Sequence, residues 1–292
     1  MTDWRETLAR ITHEANDAIK PVLATAEAGS NVGKGAGGDI TNQIDALAED
    51  CIIEAFRRTG KAIKIITEER GVVNVNCNGH VDDAGLVAIV DPIDGSFNAS
   101  RNLPFFAVSI AMASGPLMKD ITDAAVLNVA TGDVFSASKG KGAWFNDRPA
   151  IVNRAVTSLA EAAMGIDINP KRGEFHRVAL IDQFSGLLDA PKKIRVLGSN
   201  ALEACLVATG ALDCFVDVRG NLRLFDIAAA WLIVKEAGGY MFELRDGNAI
   251  DMDGRALAIE GRLAVLATAS VALKDAIVPF VKKSISKPVV RL

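Results

Sequence analysis

The sequence predicts an α/β protein built in two parts, an α+β N-terminal layer over residues 1–150 and an α/β C-terminal layer over residues 151–292. Three observations carry this. Two amphipathic helical patterns lead into a series of short β-rich runs separated by tight turns, which suggests a largely antiparallel sheet. From about residue 155 the texture changes to alternating strand and helix. The apolar run 86–90 ends in Asp91-Pro92-Ile93-Asp94-Gly95-Ser96, placing two carboxylates and a tight turn where α/β proteins do their chemistry, at the end of a buried strand.

Taken in order, Trp4, Leu8, Ile11, Ala15, Ala18, Ile19 and Val22 recur at spacings of three and four and predict a helix ending before Gly29. Residues 29–38 are rich in glycine and predict a flexible loop. Gly33-Lys34-Gly35 inside it lacks the spacing of a nucleotide P-loop and follows no buried strand, so a mobile lid carrying Lys34 fits better. Ile44, Leu47, Cys51, Ile52, Ala55 and Phe56 predict a second helix from near Asp45 to Gly60. Strands are expected at 62–67, 86–90, 105–113, 124–130, 134–137 and 142–145. The second part reads as strands at 162–168, 194–197, 214–218, 240–244 and 263–267, with helices at 174–188, 200–209 and 226–237 and at the C-terminus.

Half of the 292 residues are hydrophobic and 23% are charged, an ordinary globular composition able to bury a large core. The net charge of −4, with no basic stripe of interleaved aromatics, argues against nucleic acid as the main ligand. No apolar stretch approaches the roughly 20 residues of a membrane helix, and no basic segment precedes an apolar one at the N-terminus. A cytoplasmic protein is the expectation. Four cysteines without CxxC spacing and three scattered histidines give no zinc pattern, so any metal must be held by oxygen, which favours Mg²⁺ or Mn²⁺.

The 91–96 turn explains why a metal is expected. Pro92 biases Asp91 toward extended backbone, Gly95 permits a close backbone approach, and Ser96 is placed to cap a helix. Two carboxylates this close repel unless a cation lies between them, and free N–H groups at a helix start suit an anion such as phosphate. Three further acidic positions lie at element ends: Asp45, Glu68 and Asp226. Singly, Asp45 and Asp226 read as helix caps and Glu68 as a solvated residue past a strand. Arg219 and Arg223 precede Asp226, and guanidinium forks suit a second phosphate, though an exposed arginine at a strand end needs no such role.

Together, Gly33-Lys34, Asp39-Ile40-Thr41-Asn42-Gln43-Ile44-Asp45, Thr67-Glu68-Glu69, Asp91-Pro92-Ile93-Asp94-Gly95-Ser96 and Phe225-Asp226-Ile227-Ala228-Ala229 resemble the inositol monophosphatase superfamily in order and spacing. Gly142-Ala143-Trp144-Phe145-Asn146 and Arg195-Val196-Leu197-Gly198-Ser199 match further segments. Phe225 in place of the usual Trp, with Asp217-Val218-Arg219-Gly220, leans toward the archaeal dual inositol monophosphatase/fructose-1,6-bisphosphatase branch.

The resemblance implies a layered αβαβα sugar-phosphatase fold and two or three Mg²⁺ ions. Glu68, Asp91 and the Ile93 carbonyl would hold the first; Asp91, Asp94 and Asp226 the second; a weaker third would sit near Glu68. Gly95 and Ser96 would bind phosphate, Asp45 would orient Ser96 and with Glu68 activate the attacking water, and Lys34 and Asp39 would lie on the lid. Ser199, Asp217, Arg219 and Arg223 complete the set expected at the substrate, Asp217 at a sugar hydroxyl. A homodimer and Li⁺ sensitivity are implied too. Thr67 in place of Gly, Ser96 in place of Thr and Ala99 in place of Phe depart from the pattern.

The implied activity is Mg²⁺-dependent hydrolysis of inositol 1-phosphate or fructose 1,6-bisphosphate by direct water attack, since no Cys/His or Ser/His pair offers a nucleophile. The alternatives are a 3′-phosphoadenosine 5′-phosphate phosphatase, which needs a stacking surface for adenine, and a regulatory binding protein on the same scaffold.

Overall fold

In the computed structural model, residues 2–23, 31–34, 40–77, 85–169 and 177–285 are described. The first apolar stripe forms α1 (Trp4–Leu23), burying Leu8, Ile11, Ala15 and Ile19 on one face; Asp3 Oδ1 accepts the Glu6 N–H at its start. The glycine-rich stretch is not loop throughout: β1 (Asn31–Lys34) pairs antiparallel with β2 (Ile40–Asn42), Lys34 opposite Ile40. Asp39 lies outside the described residues. Next comes α2 (Gln43–Arg58), which buries Ile44, Ala48, Ile52 and Phe56 and stops at Gly60 with φ of 67°.

The strands β3 (Ile63–Thr67), β4 (Gly71–Val75), β5 (Leu86–Asp94), β6 (Ala107–Ala113), β7 (Ile121–Asn128), β8 (Val134–Ser138), β9 (Gly142–Phe145) and β10 (Arg148–Ala150) form one eight-stranded sheet, with the short helix α3 (Ser96–Ser100) following β5. Its order is β10-β9-β8-β7-β6-β5-β3-β4, and every pairing is antiparallel except β3 with β5. The hairpin returns β4 and β10 carry too little apolar alternation to be read from sequence.

The second part begins with β11 (Ala163–Asp167). The helix expected over 174–188 is two, α4 (Arg177–Gln183) and α5 (Ser185–Asp189), divided where Phe184 leaves helical geometry and Ser185 Oγ donates to the Asp182 carbonyl; residues 170–176 lie outside the described set. Then follow β12 (Lys193–Arg195), α6 (Asn200–Ala208), β13 (Cys214–Leu222), α7 (Leu224–Glu236), β14 (Tyr240–Arg245), β15 (Asn248–Asp251), β16 (Leu263–Thr268) and α8 (Val271–Ile285). β13 runs four residues beyond its expected end and so reaches the site. The second sheet has the order β12-β11-β13-β16-β14-β15, parallel from β12 to β13 and antiparallel beyond.

Five layers result. α1 and α2 cover one face of the first sheet; α6 and α7 lie between the two sheets; α4, α5 and α8 pack in the outer layer beyond the second sheet. Each interlayer has its own apolar core: Leu8, Phe56 and Val108 in the first, Phe215, Trp231 and Val265 in the second, Ile166, Leu187 and Ile277 in the third. α7 is apolar on all sides because both of its flanks meet a sheet, and residues 224–234 are all buried. Among the described residues no helix is long and apolar enough to cross a membrane.

Candidate active site

The site lies at the carboxyl ends of the parallel pair β3 and β5. Thr67 pairs with Val90, so Glu68 leaves its strand beside Asp91. Residues three apart on a regular strand face opposite sides, yet Asp91 and Asp94 serve one cavity. The reason is a bulge: Asp91 lies opposite Ser109 and Asp94 opposite Ala107, so β5 holds one residue more than β6 over this interval and its alternation is reset. Gly95 then turns the chain with φ of 89°, and a Cβ there would fall 3.0 Å from the Gly198 carbonyl oxygen and 3.3 Å from that of Phe105. Asn98 Nδ2 ties this turn to the second half, donating to the carbonyls of Phe105 and Leu197, each at 2.8 Å.

Asp226 arrives from the first turn of α7, where its Oδ2 accepts the Arg223 N–H at 2.7 Å. One carboxylate oxygen each from Glu68, Asp91 and Asp226 lies within 4.8 Å of the others, and all three residues are buried. Burial, reinforced by the neighbouring carboxylates, pushes Asp91 well above its ordinary range. Burial likewise lifts Glu68 to about 8, opposed by the Arg223 guanidinium. Asp94 is lifted to about 7 by burial, while hydrogen bonds hold it back: its Oδ2 accepts the Ser199 hydroxyl and, at 2.8 Å, the Ala201 N–H at the start of α6.

The acid cluster fits a hard divalent cation. Asp91 Oδ1 is buried without a hydrogen-bond partner among the described residues, and the donors gathered around it are oxygens. Glu68, Asp91, Ile93, Asp94 and Asp226 line a single cavity of about 250 Å³ together with Gly95, Ser96, Arg219 and Arg223. Ser96 does not cap α3 with its side chain. Its hydroxyl lies 3.0 Å from Asp45 Oδ1 and 2.9 Å from the Ile93 carbonyl, so buried Asp45 touches the turn.

Two residues expected at the substrate are placed differently. Ser199 is fully buried and donates to Asp94, not toward the cavity. Asp217 is fully buried as well, its acceptors taken by Arg219: Oδ1 by the Arg219 N–H at 2.8 Å and Oδ2 by Nε at 3.0 Å. Arg223 lines the cavity against the acid cluster, its Nη2 on Glu68 Oε1. Arg219 does line the cavity, fixed from behind by Asp217, by Asp167 Oδ2 at 2.8 Å and by the Asn169 carbonyl at 2.9 Å.

Sequence reasoning passed over Asp167, Glu203 and Glu49. Asp167 is the register partner of Asp217 on adjacent parallel strands, a signal available only once β11 and β13 are paired. Glu203 is fully buried on α6 and accepts the Gly198 N–H at 3.1 Å, holding the loop that meets Gly95. Glu49, buried on α2, accepts the Thr67 hydroxyl at 2.7 Å and the Arg70 N–H at 3.1 Å. The hydroxyl that makes Thr67 unusual is thereby satisfied, and the turn carrying Glu68 is tied to α2.

Comparison with known proteins shows the family to which this fold belongs. The family model for the inositol monophosphatase family matches residues 4–284. A fructose-1,6-bisphosphatase/inositol-1-monophosphatase of Methanothermobacter thermautotrophicus is 36% identical over 280 residues, covering 94% of this chain and 95% of that protein. A bifunctional NADP phosphatase/NAD kinase of Methanococcus maripaludis is 31% identical over 268 residues, 86% of this chain and 45% of that longer protein. A crystal structure of an inositol monophosphatase-fructose 1,6 bisphosphatase superposes with a TM-score of 0.79 at 27% identity, over 96% of this chain and all of that one. With the ordered acidic segments, the five-layer fold and a match running almost end to end, the chain belongs to the inositol monophosphatase family.

Proposed function

We propose that the chain is a divalent-metal-dependent phosphomonoesterase hydrolysing inositol 1-phosphate and fructose 1,6-bisphosphate, with Mg²⁺ or Mn²⁺ held by Glu68, Asp91, the Ile93 carbonyl, Asp94 and Asp226. One observation carries the reading: three buried carboxylates converge within 4.8 Å, one with an unpartnered oxygen, beside the Gly95–Ser96 backbone in a common cavity. When bound, the cation supplies neutralisation of phosphate charge and a lowered pKa for a nearby water.

The chain's own groups supply the rest. The Gly95 and Ser96 N–H groups would receive the phosphate. Asp45 accepts a hydrogen bond from the Ser96 hydroxyl and leaves the Oγ lone pairs to orient a water, whose proton would pass to the Glu68 carboxylate as it attacks. Arg219 lines the cavity with its guanidinium fixed by Asp217 and Asp167, and would be a cation within reach of a second anionic group on the substrate. The cavity wall contains no aromatic ring among the described residues, so an adenine-bearing substrate gains no stacking surface there. A cytoplasmic homodimer, inhibited by Li⁺, with Lys34 and Asp39 on a lid, belongs to the same proposal.

The test is phosphate release from inositol 1-phosphate and from fructose 1,6-bisphosphate, with Mg²⁺, with Mn²⁺ and after chelation, beside Asp94→Asn. Turnover lost on chelation and in the variant supports the reading. Metal-independent turnover, or none with either substrate, overturns it.

A further inference from the structure

The two arginines in the cavity are held by different kinds of partner. Arg219 is bound by Asp217, Asp167 and the Asn169 carbonyl, none of which is a proposed metal ligand, so its position does not depend on metal. Arg223 instead places Nη2 on Glu68 and Nε 3.7 Å from Asp226 Oδ1, and both of those carboxylates belong to the proposed metal set. Its guanidinium therefore supplies the positive charge that a buried cluster of carboxylates requires. It supplies one charge against Glu68, Asp91, Asp94 and Asp226, whereas a divalent ion supplies two in a smaller volume. Both cations need Glu68, and they repel each other. The Arg223 backbone stays anchored through its N–H to Asp226 at the start of α7, so only the flexible side chain has to move.

We propose that Arg223 is an exchangeable internal counter-ion: it neutralises Glu68 in the metal-free protein, swings off Glu68 within the cavity when metal binds, and there joins Arg219 in holding the second phosphate of a bisphosphorylated sugar. This rests on the phosphatase reading above. It makes metal and bisphosphate binding mutually reinforcing, because whichever binds first draws Arg223 away from Glu68, and linkage requires the two effects to be equal. A monophosphate has no second group to hold Arg223 and gains nothing from its release.

The test is Mn²⁺ binding, measured by electron paramagnetic resonance of the free ion, on the full chain and on Arg223→Met. Arg223→Gln serves as a second variant in case the apolar replacement does not fold. Each protein is titrated alone, with the bis-methylenephosphonate analogue of fructose 1,6-bisphosphate, and with the corresponding monophosphonate of inositol. Without phosphonate, either variant is expected to bind Mn²⁺ about fivefold or more tightly than the native chain. The bisphosphonate is expected to tighten Mn²⁺ binding in the native chain by a similar factor and to have a much smaller effect in the variants; the monophosphonate should separate the two proteins little. Equal or weaker Mn²⁺ binding by the variants overturns the counter-ion role. An equal bisphosphonate effect in native and variant proteins overturns the transfer of Arg223 to the second phosphate. If phosphate release is absent while the variants still gain in Mn²⁺ affinity, the substrate reading falls and the counter-ion exchange stands.

Discussion

Glu49 is 1% exposed on α2 and holds a turn eighteen residues further along the chain. Replacing it with Ala removes the acceptor of the Thr67 hydroxyl, the Arg70 N–H and, at 3.0 Å, Arg70 Nε. Thr67 is fully buried, so its orphaned hydroxyl costs about 1–3 kcal/mol. The Arg70 side chain is about half exposed and its ion pair contributes little. Lost methylene burial adds about 1 kcal/mol, for a total of about 2–4 kcal/mol. Thr67→Val leaves Glu49 with both Arg70 donors and costs about 1–2 kcal/mol. In the double variant no orphaned hydroxyl exists, so its loss should fall short of the sum by about 1.5 kcal/mol. Urea unfolding of the metal-free proteins, followed by circular dichroism, measures all three. Additivity within about 0.5 kcal/mol would refute the coupling. Because Thr67 directly precedes Glu68, Glu49→Ala should also weaken Mn²⁺ binding about 10–100-fold, and an unchanged affinity would reduce Glu49 to a packing role.

Gly95→Ala should lower stability by roughly 1–3 kcal/mol and depress phosphate release, since its Cβ meets the Gly198 and Phe105 carbonyls at a φ of 89°; wild-type kinetics in a folded variant would contradict this. Burial lifts the Glu203 carboxyl to about 8, above its unfolded value. Its stabilisation is therefore full below the ordinary carboxylate range and lost as pH rises through about 8, by an amount on the order of 3–5 kcal/mol. Glu203→Gln should flatten that decline in denaturant midpoints measured across pH, and parallel pH profiles would count against it. Asp217→Asn loosens the charge-assisted clamp on Arg219 and should raise KM for fructose 1,6-bisphosphate about tenfold while leaving inositol 1-phosphate kinetics nearly unchanged, an outcome read from steady-state phosphate release.

The elements legible in the sequence are those with a strong local signal: the amphipathic stripe of α1, and the continuous apolar runs of the strand β5 and of the helix that carries Asp226. What could not be read depended on partners distant in the chain. Ser199 meets Asp94 across 105 residues and Arg223 meets Glu68 across 155, so neither side chain's direction follows from its neighbours in sequence. That Asp217 and Ser199 face inward, toward Arg219 and Asp94, follows from the length of β13 and the placement of α6 against the β5 turn. The bulge that turns Asp91 and Asp94 to one side becomes visible only in the register with β6. Glu49 and Asp167 carried no local signal, since they act on the cavity through other residues.

The helix α7, seated between the two sheets with Asp226 at its head, makes the proposed metal site a joint possession of both halves. A cut between Ala150, where the first sheet ends, and Ala163, where the second begins, would leave Glu68 and Asp91 on one fragment and Asp226 on the other. Neither fragment alone would retain the three-carboxylate cluster. Mixed together, the pieces would regain it only when α7 returned to its slot, so Mn²⁺ would act as the adhesive of a split protein and its capture as the signal that the halves had found each other.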